Sequence, residues 1–328
     1  MAYSGSATIE NMIKDKLKIK IRVMKKILSL VVLGLSCWLV SSAQDAEVKE
    51  TPKPKFARAT FNSTSIINMQ STEIVPKNVL QFMINHHFSY IWTKDAGTQN
   101  NLAQFLGLNS GVAHTYLSFD YSPTNFMNLG FALAGQSRYE GFAKFRILRQ
   151  QTGVRNIPVS ISWYSMAHVN AAKDPETDFS WNKWSFAHQL LIARKMTDKI
   201  SLQIMPTVIH FNVVPYGINN SNFVYSLGFA AKYKMKPKMN LTVEYTRQLN
   251  MYENIISKNG AILNYNPDLL SVGMEFNTGG HLFQFFVGNT TDASLIDQLA
   301  RNSSKIKDGN FAIGFRINRS MDLKKDKE

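Results

Sequence analysis

Hydrophobic and polar residues alternate with a period of two along most of this chain. Between Ser271 and Asn277, Val272, Met274 and Phe276 share one face and Ser271, Gly273 and Glu275 the other. Asn277 to Gly280 supply a turn. The return arm then sets Phe283, Phe285 and Val287 against Gln284 and Gly288, with Leu282 and Phe286 as apolar exceptions on the polar face. Leu241, Val243 and Tyr245 likewise oppose Thr242, Glu244 and Thr246, and Phe311, Ile313, Phe315 and Ile317 oppose Ala312, Gly314, Arg316 and Asn318. The pattern predicts twelve strands: Val79–Ile91, Val112–Tyr121, Phe126–Gln136, Tyr139–Gln150, Pro158–Val169, Lys183–Arg194, Lys199–Phe211, Asn222–Lys234, Met239–Asn250, Asp268–Asn277, His281–Asn289 and Asn310–Ser320.

These strands are long. Soluble strands hold about five or six residues, whereas a strand tilted across a bilayer needs roughly nine to eleven. The connections also alternate in length. Short turns such as Ser122-Pro123-Thr124, Met235–Lys238 and Thr278–Gly280 fall on one parity, and long loops such as Trp92–Gly111, Met251–Pro267 and Thr290–Gly309 on the other, where only Ser137-Arg138 is short. An even strand count with short turns at one end and long loops at the other is the pattern of outer-membrane barrels, with both chain ends on the short-turn, periplasmic side. Closure also removes the open edges that so large a sheet would expose. The expected fold is all-β: a transmembrane antiparallel β-barrel of about twelve strands, outer-membrane type, with its apolar face toward lipid. A further strand around Thr60 to Gln70 would raise the count. The tail "RINRSMDLKKDKE" departs from the usual barrel ending on an aromatic residue, which makes Asn310–Ser320 the least clear of the twelve.

The polar parity carries the candidate chemistry. Asp120, Lys144, Arg146, Lys232, Glu244, Glu275 and Arg316 are the lumen-lining candidates, with His87 and His114 beside them. Charges of both signs at close quarters point to ion pairs and hydrogen bonds bracing a narrow, partly filled interior. Tyr90, Trp92, Trp163, Tyr164, Trp184, Tyr225 and Tyr245 near strand ends supply interfacial girdles. Two loop segments, Thr98–Leu108 and Thr291–Asn302, have apolar residues near helical spacing and are expected to pack on their own barrel.

The amino-terminal region divides differently. Residues 1–23 form an upstream extension. Residues 24–43, "MKKILSLVVLGLSCWLVSSA", have the basic start, apolar stretch and small-residue cleavage site of an export signal. Residues 44–59, opening "QDAEVKETPKPK", read as a flexible periplasmic lead-in, and residues 60–328 as the barrel. Cys37, the single cysteine, falls within the signal, so thiol and disulfide chemistry is excluded from the mature chain. Of the formal charge of +14, a net +5 belongs to residues 1–43 and +9 to the remainder. In an exported chain this excess suits outer-membrane lipid and lipopolysaccharide, and the long loops suit envelope protein partners; no nucleic-acid motif is present.

No catalytic, cofactor-binding or metal-ligating set is expected. His86 and His87 are adjacent on a strand, point to opposite faces and cannot share an ion. His168, His188, His210 and His281 stand on separate strands without a recognisable nucleophile, so the chain does not read as an enzyme. The segments "TSIINMQSTEIVPKNVLQFMINHHF", "GFAKFRILRQ", "PVSISW", "QLLIARKMTDKISLQIMPTVIHFNVVP" and "SVGMEFNTGGHLFQFFVGN" together resemble the DUF5777 family of β-barrel proteins from Bacteroidota, over roughly Thr60 to Asn318. The resemblance implies an outer-membrane location and transfers no catalytic residues. The expected function is a narrow pore or small-solute transport protein; the alternative is a non-conducting structural barrel of an envelope complex.

Overall fold

The computed structural model describes residues 53–93, 97–105, 114–135, 137–171, 183–213, 221–250, 255–256, 262–263, 268–300, 302 and 304–323. Twelve strands close into a single antiparallel barrel. They are β1 (Val79–Trp92), β2 (His114–Tyr121), β3 (Met127–Leu133), β4 (Arg138–Leu148), β5 (Ser160–Asn170), β6 (Trp184–Lys195), β7 (Ile200–Phe211), β8 (Phe223–Lys236), β9 (Met239–Gln248), β10 (Leu269–Asn277), β11 (His281–Gly288) and β12 (Phe311–Asp322). Each pairs with its neighbour in sequence, and β12 closes on β1 from Asp322 opposite Val79 to Phe311 opposite Trp92. The last strand is therefore the closing strand, and it takes in the polar tail as far as Asp322. Two-residue ladders join Lys55–Phe56 to Gln151–Thr152 and Ile255–Ile256 to Ile262–Leu263.

The expected extension (1–23), export signal (24–43) and residues 44–52 of the lead-in lie outside the described residues. The last part of that lead-in is held in place: besides the Lys55–Phe56 ladder, the Ala57 amide donates to the Gln150 carbonyl at 2.8 Å. The thirteenth strand considered around Thr60 to Gln70 does not join the wall. That stretch lies inside the barrel.

Alternation sorts the wall as the pleat requires. Phe131, Leu202, Ile204, Phe229, Val272 and Phe285 face outward and are exposed, Phe285 by 59%. A continuous outward belt of this kind is stable only against an apolar medium. The inward residues include the two exceptions of the β10–β11 hairpin, Leu282 and Phe286, which are buried in the interior. The turn between these strands closes through Thr278, whose amide donates to the His281 carbonyl at 3.0 Å. Gly279, at φ +89°, adopts a left-handed conformation there that a side chain would strain.

A barrel of this size has room inside, and two inserts fill it. From the short-turn end, residues 60–75 rise as a tight hairpin, Ser71 N to Thr64 O at 2.9 Å and Ile66 N to Met69 O at 2.8 Å. From the long-loop end, the β11–β12 connection turns inward, and its short helix α2 (Leu295–Ala300) is buried along its whole length. Phe61, Ile66, Ile67 and Met69 of the hairpin and Leu295, Ile296 and Leu299 of α2 form one apolar core with Ala187, Leu191, Met205 and Ile209 of the wall. Each fully buried side chain of this size contributes about 1.5–3 kcal/mol. The hydrophobic core thus sits in the lumen, with a second apolar surface on the outside. The other helix, α1 (Gly97–Phe105), packs on the end of β1, where Asn101 bonds both the amide and the carbonyl of Thr93 at 2.9 and 3.0 Å.

Candidate functional site

The hairpin tip, Ile66 to Met69, crosses the middle of the lumen, where its peptide groups have no strand to pair with. The wall supplies their partners from charged side chains. Glu244 of β9 accepts from the amides of Ile67, Asn68 and Met69 at 2.8, 2.8 and 3.0 Å, a nest of three successive donors around one carboxylate. Arg316 of β12 donates to the Ile66 carbonyl at 3.2 Å, to the Ser65 hydroxyl at 2.9 Å and to the Ile67 carbonyl. Gln284 of β11 adds a bond to the Ile66 carbonyl at 2.7 Å. Ile67 reaches the wall at Gly273 of β10: a Cβ there would lie 3.1 Å from Ile67 Cδ1 and 2.9 Å from Thr242 Oγ1. The glycine is the space into which the tip fits.

The hairpin arms are tied in the same manner. Lys144 of β4, 1% exposed, donates to the carbonyls of Thr64 and Glu73 at 2.6 and 3.1 Å. Gln203 of β7 clamps the backbone at two points, accepting from Thr72 N at 2.9 Å and donating to Gln70 O at 2.7 Å. Lys232 of β8 donates to the Ala59 carbonyl at 2.5 Å, Glu275 of β10 accepts from the Asn62 amide group at 2.6 Å, and Arg146 pairs with Glu73 at 3.6 Å. Of the seven sequence-predicted lumen residues, Lys144, Arg146, Lys232, Glu244, Glu275 and Arg316 thus each contact the hairpin. Asp120 of β2 is buried with them, accepts from Ser118 and Asn128 of the wall at 3.2 and 3.5 Å, and shares a hydrogen bond with the Thr64 side chain of the hairpin. Their expected partners were one another; instead most of them bind main-chain groups of an insert that the sequence pattern did not reveal. Gln203, Gln284, Asn318 and Ser162 belong to the same set. Polar residues at the centre of a membrane-length strand were the signal that something must satisfy them.

At the long-loop end the second insert is latched by side chains. Arg138 of β4 pairs with Asp297 at 3.2 Å and Asp292 at 3.9 Å, and Asp292 also lies 3.6 Å from His114. Glu140 accepts from the Ser294 hydroxyl at 2.5 Å and the Tyr116 hydroxyl at 2.9 Å, and lies 3.1 Å from His168 Nδ1. His168 is therefore not isolated. The Ser294–His168–Glu140 cluster has the residue types of a hydrolytic triad without its geometry. Serine and carboxylate meet the same ring nitrogen, at 3.3 and 3.1 Å, so the imidazole cannot relay a proton between them. The two inserts touch inside the barrel, where Gln298 donates to the Asn68 side chain at 3.2 Å.

On the outer face, His86 and His188 bond the hydroxyls of their cross-strand neighbours Thr115 and Ser165, each at 2.9 Å, which satisfies an imidazole that faces an apolar medium. His87 points inward against Phe286, so the two adjacent histidines do face opposite ways. Tyr164, expected in an interfacial girdle, points inward as well, packing on Phe142 with Lys144 Nζ 5.9 Å from its ring centre, because it has the inner parity of β5. Among the described residues no group of three or more histidine, cysteine or acidic side chains is placed to hold a metal ion.

A family model described as a membrane-bound beta barrel domain, DUF5777, matches residues 61–321. The chain belongs to this family. The match begins at Phe61, so the domain that defines DUF5777 contains the internal hairpin as well as the wall. No curated protein is similar to the chain. Among solved structures, the NanC porin is 9% identical over 74% of this chain and 100% of its own, with a TM-score of 0.44. The KdgM porin is 11% identical over 74% of this chain and 99% of its own, with a TM-score of 0.43.

Proposed function

We propose that this DUF5777 protein is an outer-membrane barrel whose native state does not conduct, and that it works as a structural element of the envelope through its two ends. The short-turn end faces the periplasm in this reading, and the long loops face outward, toward lipopolysaccharide and envelope partners. The observation that carries it is the Glu244 nest. A carboxylate at mid-barrel holds three amides of the hairpin tip, and withdrawing the hairpin would strip Glu244 of those three donors and Arg316 and Lys144 of the backbone carbonyls they bond, in a confined interior. Apolar side chains of both inserts are packed around the same point. Small-solute passage, the other reading, requires the hairpin to leave or fold differently.

Planar-bilayer recording of the purified barrel separates the two. Wild type is expected to insert without stepwise conductance. Discrete, reproducible conductance steps from wild type would overturn the non-conducting reading in favour of a narrow pore.

A further inference from the structure

At the short-turn end, where the chain enters the lumen, lies a cavity of about 180 Å³ between the wall and the root of the hairpin. Its charged lining is Lys195, Lys232 and Lys234 against a single acid, Asp198. Asp198 is fully exposed and sits 3.5 Å from Lys195, so it offsets one ammonium at most. Lys232 is buried, and its hydrogen bonds run to the neutral oxygens Ala59 O and Asn62 Oδ1 at 2.5 and 3.4 Å; Glu275 and Glu73 act on it electrostatically from outside the cavity lining without forming an ion pair with it. Lys195 gives one bond to the Arg58 carbonyl at 3.3 Å. An ammonium has three donors, so Lys195 and Lys232 each retain one. Asn240 and Ser201, both buried, add side-chain polar groups that no hydrogen bond among the described residues uses. Lys236, the last residue of β8, and Lys238, in the β8–β9 turn, follow in the sequence.

We infer that this cavity is a binding site for a phosphate oxyanion. Three ammonium groups with donors to spare, amide and hydroxyl groups beside them, and an excess of positive charge focused in a partly enclosed space are what a tetrahedral oxyanion requires. The cavity is large enough for the ion and a few waters, since a water occupies about 30 Å³. Ala59 and Asn62 of the hairpin root share the cavity with Lys195 and Lys232 of the wall, so the bound anion would bridge insert and barrel and hold the hairpin where it enters. The same chemistry is offered by free inorganic phosphate and by the phosphodiester of a lipid headgroup.

Titration calorimetry of the purified barrel in detergent tests this, with inorganic phosphate in one arm and dihexanoyl phosphatidylglycerol in the other. One saturable site per chain is expected in at least one arm. Binding of inorganic phosphate alone identifies a soluble anion as the source, and binding of the phosphodiester identifies a headgroup. Lys234→Gln, on an exposed side chain outside the hairpin contacts, should weaken binding by roughly tenfold, as loss of one charge-assisted contact does. Lys238→Gln removes the same charge outside the cavity and should change affinity by less than about twofold once salt screens it. No saturable binding in either arm, unchanged affinity in Lys234→Gln, or equal weakening by both variants would each overturn the site.

Discussion

The two inserts that fill the barrel are held by different kinds of contact. The hairpin from the short-turn end is gripped largely by its backbone: Glu244 takes three of its amides, and Arg316, Lys144, Gln203 and Gln284 take its carbonyls. The loop from the other end is gripped by side chains, Asp297 and Asp292 by Arg138, and Ser294 by Glu140. Specificity for the hairpin therefore resides in the wall, whereas for the loop it is shared between wall and insert. A backbone grip tolerates changes in the insert's own side chains, provided the chain keeps its path and its apolar residues. A side-chain grip fails when either partner changes.

The largest effect should come from the wall side of the backbone grip. Glu244→Gln keeps the shape but turns one acceptor oxygen into a donor facing amides that already donate. At least one buried amide loses its partner along with the charge, and unfolding in urea from lipid or detergent should show a loss of about 3 kcal/mol. A loss below about 1 kcal/mol, within reach of an ordinary surface change, would mean that the nest does not hold the tip. Next in size is Gly273→Val, which touches no charge. It places a branched side chain where Ile67 meets the wall, and overpacking of this kind costs about 1–3 kcal/mol. Because the hairpin has to move to relieve it, this variant should also show conductance steps that wild type lacks. A silent variant of wild-type stability would show that the tip does not depend on that space.

The wall was legible in the sequence and the hairpin was not. Period-two alternation is a local signal, and it located all twelve strands, the inner parity of the seven charged residues and the outward position of Phe285. "FNSTSIINMQST" has no period, and its serines, threonines and asparagines read as loop. What gives that stretch a single path is Glu244, 177 residues from Ile67, and Arg316, 249 residues from Ile67. No local pattern carries contacts of that range. Tyr164 was misplaced for a related reason: aromatic character suggested the interface, but parity put the ring inside, beside Lys144. The helix α2 was visible as spacing in Thr291–Asn302, yet its burial depends on Arg138 and Glu140 of β4, again far along the chain.

The side-chain grip makes a smaller prediction, and a double-mutant cycle is its measure. Arg138→Met and Asp297→Leu, separately and together, should show coupling of about 0.5–3 kcal/mol in unfolding, since the two groups meet at 3.2 Å in a mostly buried setting. Additivity within error would reduce the pair to a coincidence of packing and leave Ser294 and Glu140 as the latch.

The smallest predicted effect sharpens the contrast most. Gln70 lies in the hairpin, and the wall reads it only through its carbonyl, to which Gln203 donates at 2.7 Å; its own side chain makes no hydrogen bond among the described residues. Gln70→Ala keeps that carbonyl in place, so unfolding should shift by no more than about 0.5 kcal/mol. Gln203→Ala, on the wall side of the same contact, leaves Thr72 N and Gln70 O without their partners and should cost about 1–3 kcal/mol. The two substitutions remove the same type of side chain from opposite sides of one interface. If Gln70→Ala cost as much as Gln203→Ala, the hairpin would be recognised by its side chains as the loop is, and the difference between the two inserts would collapse.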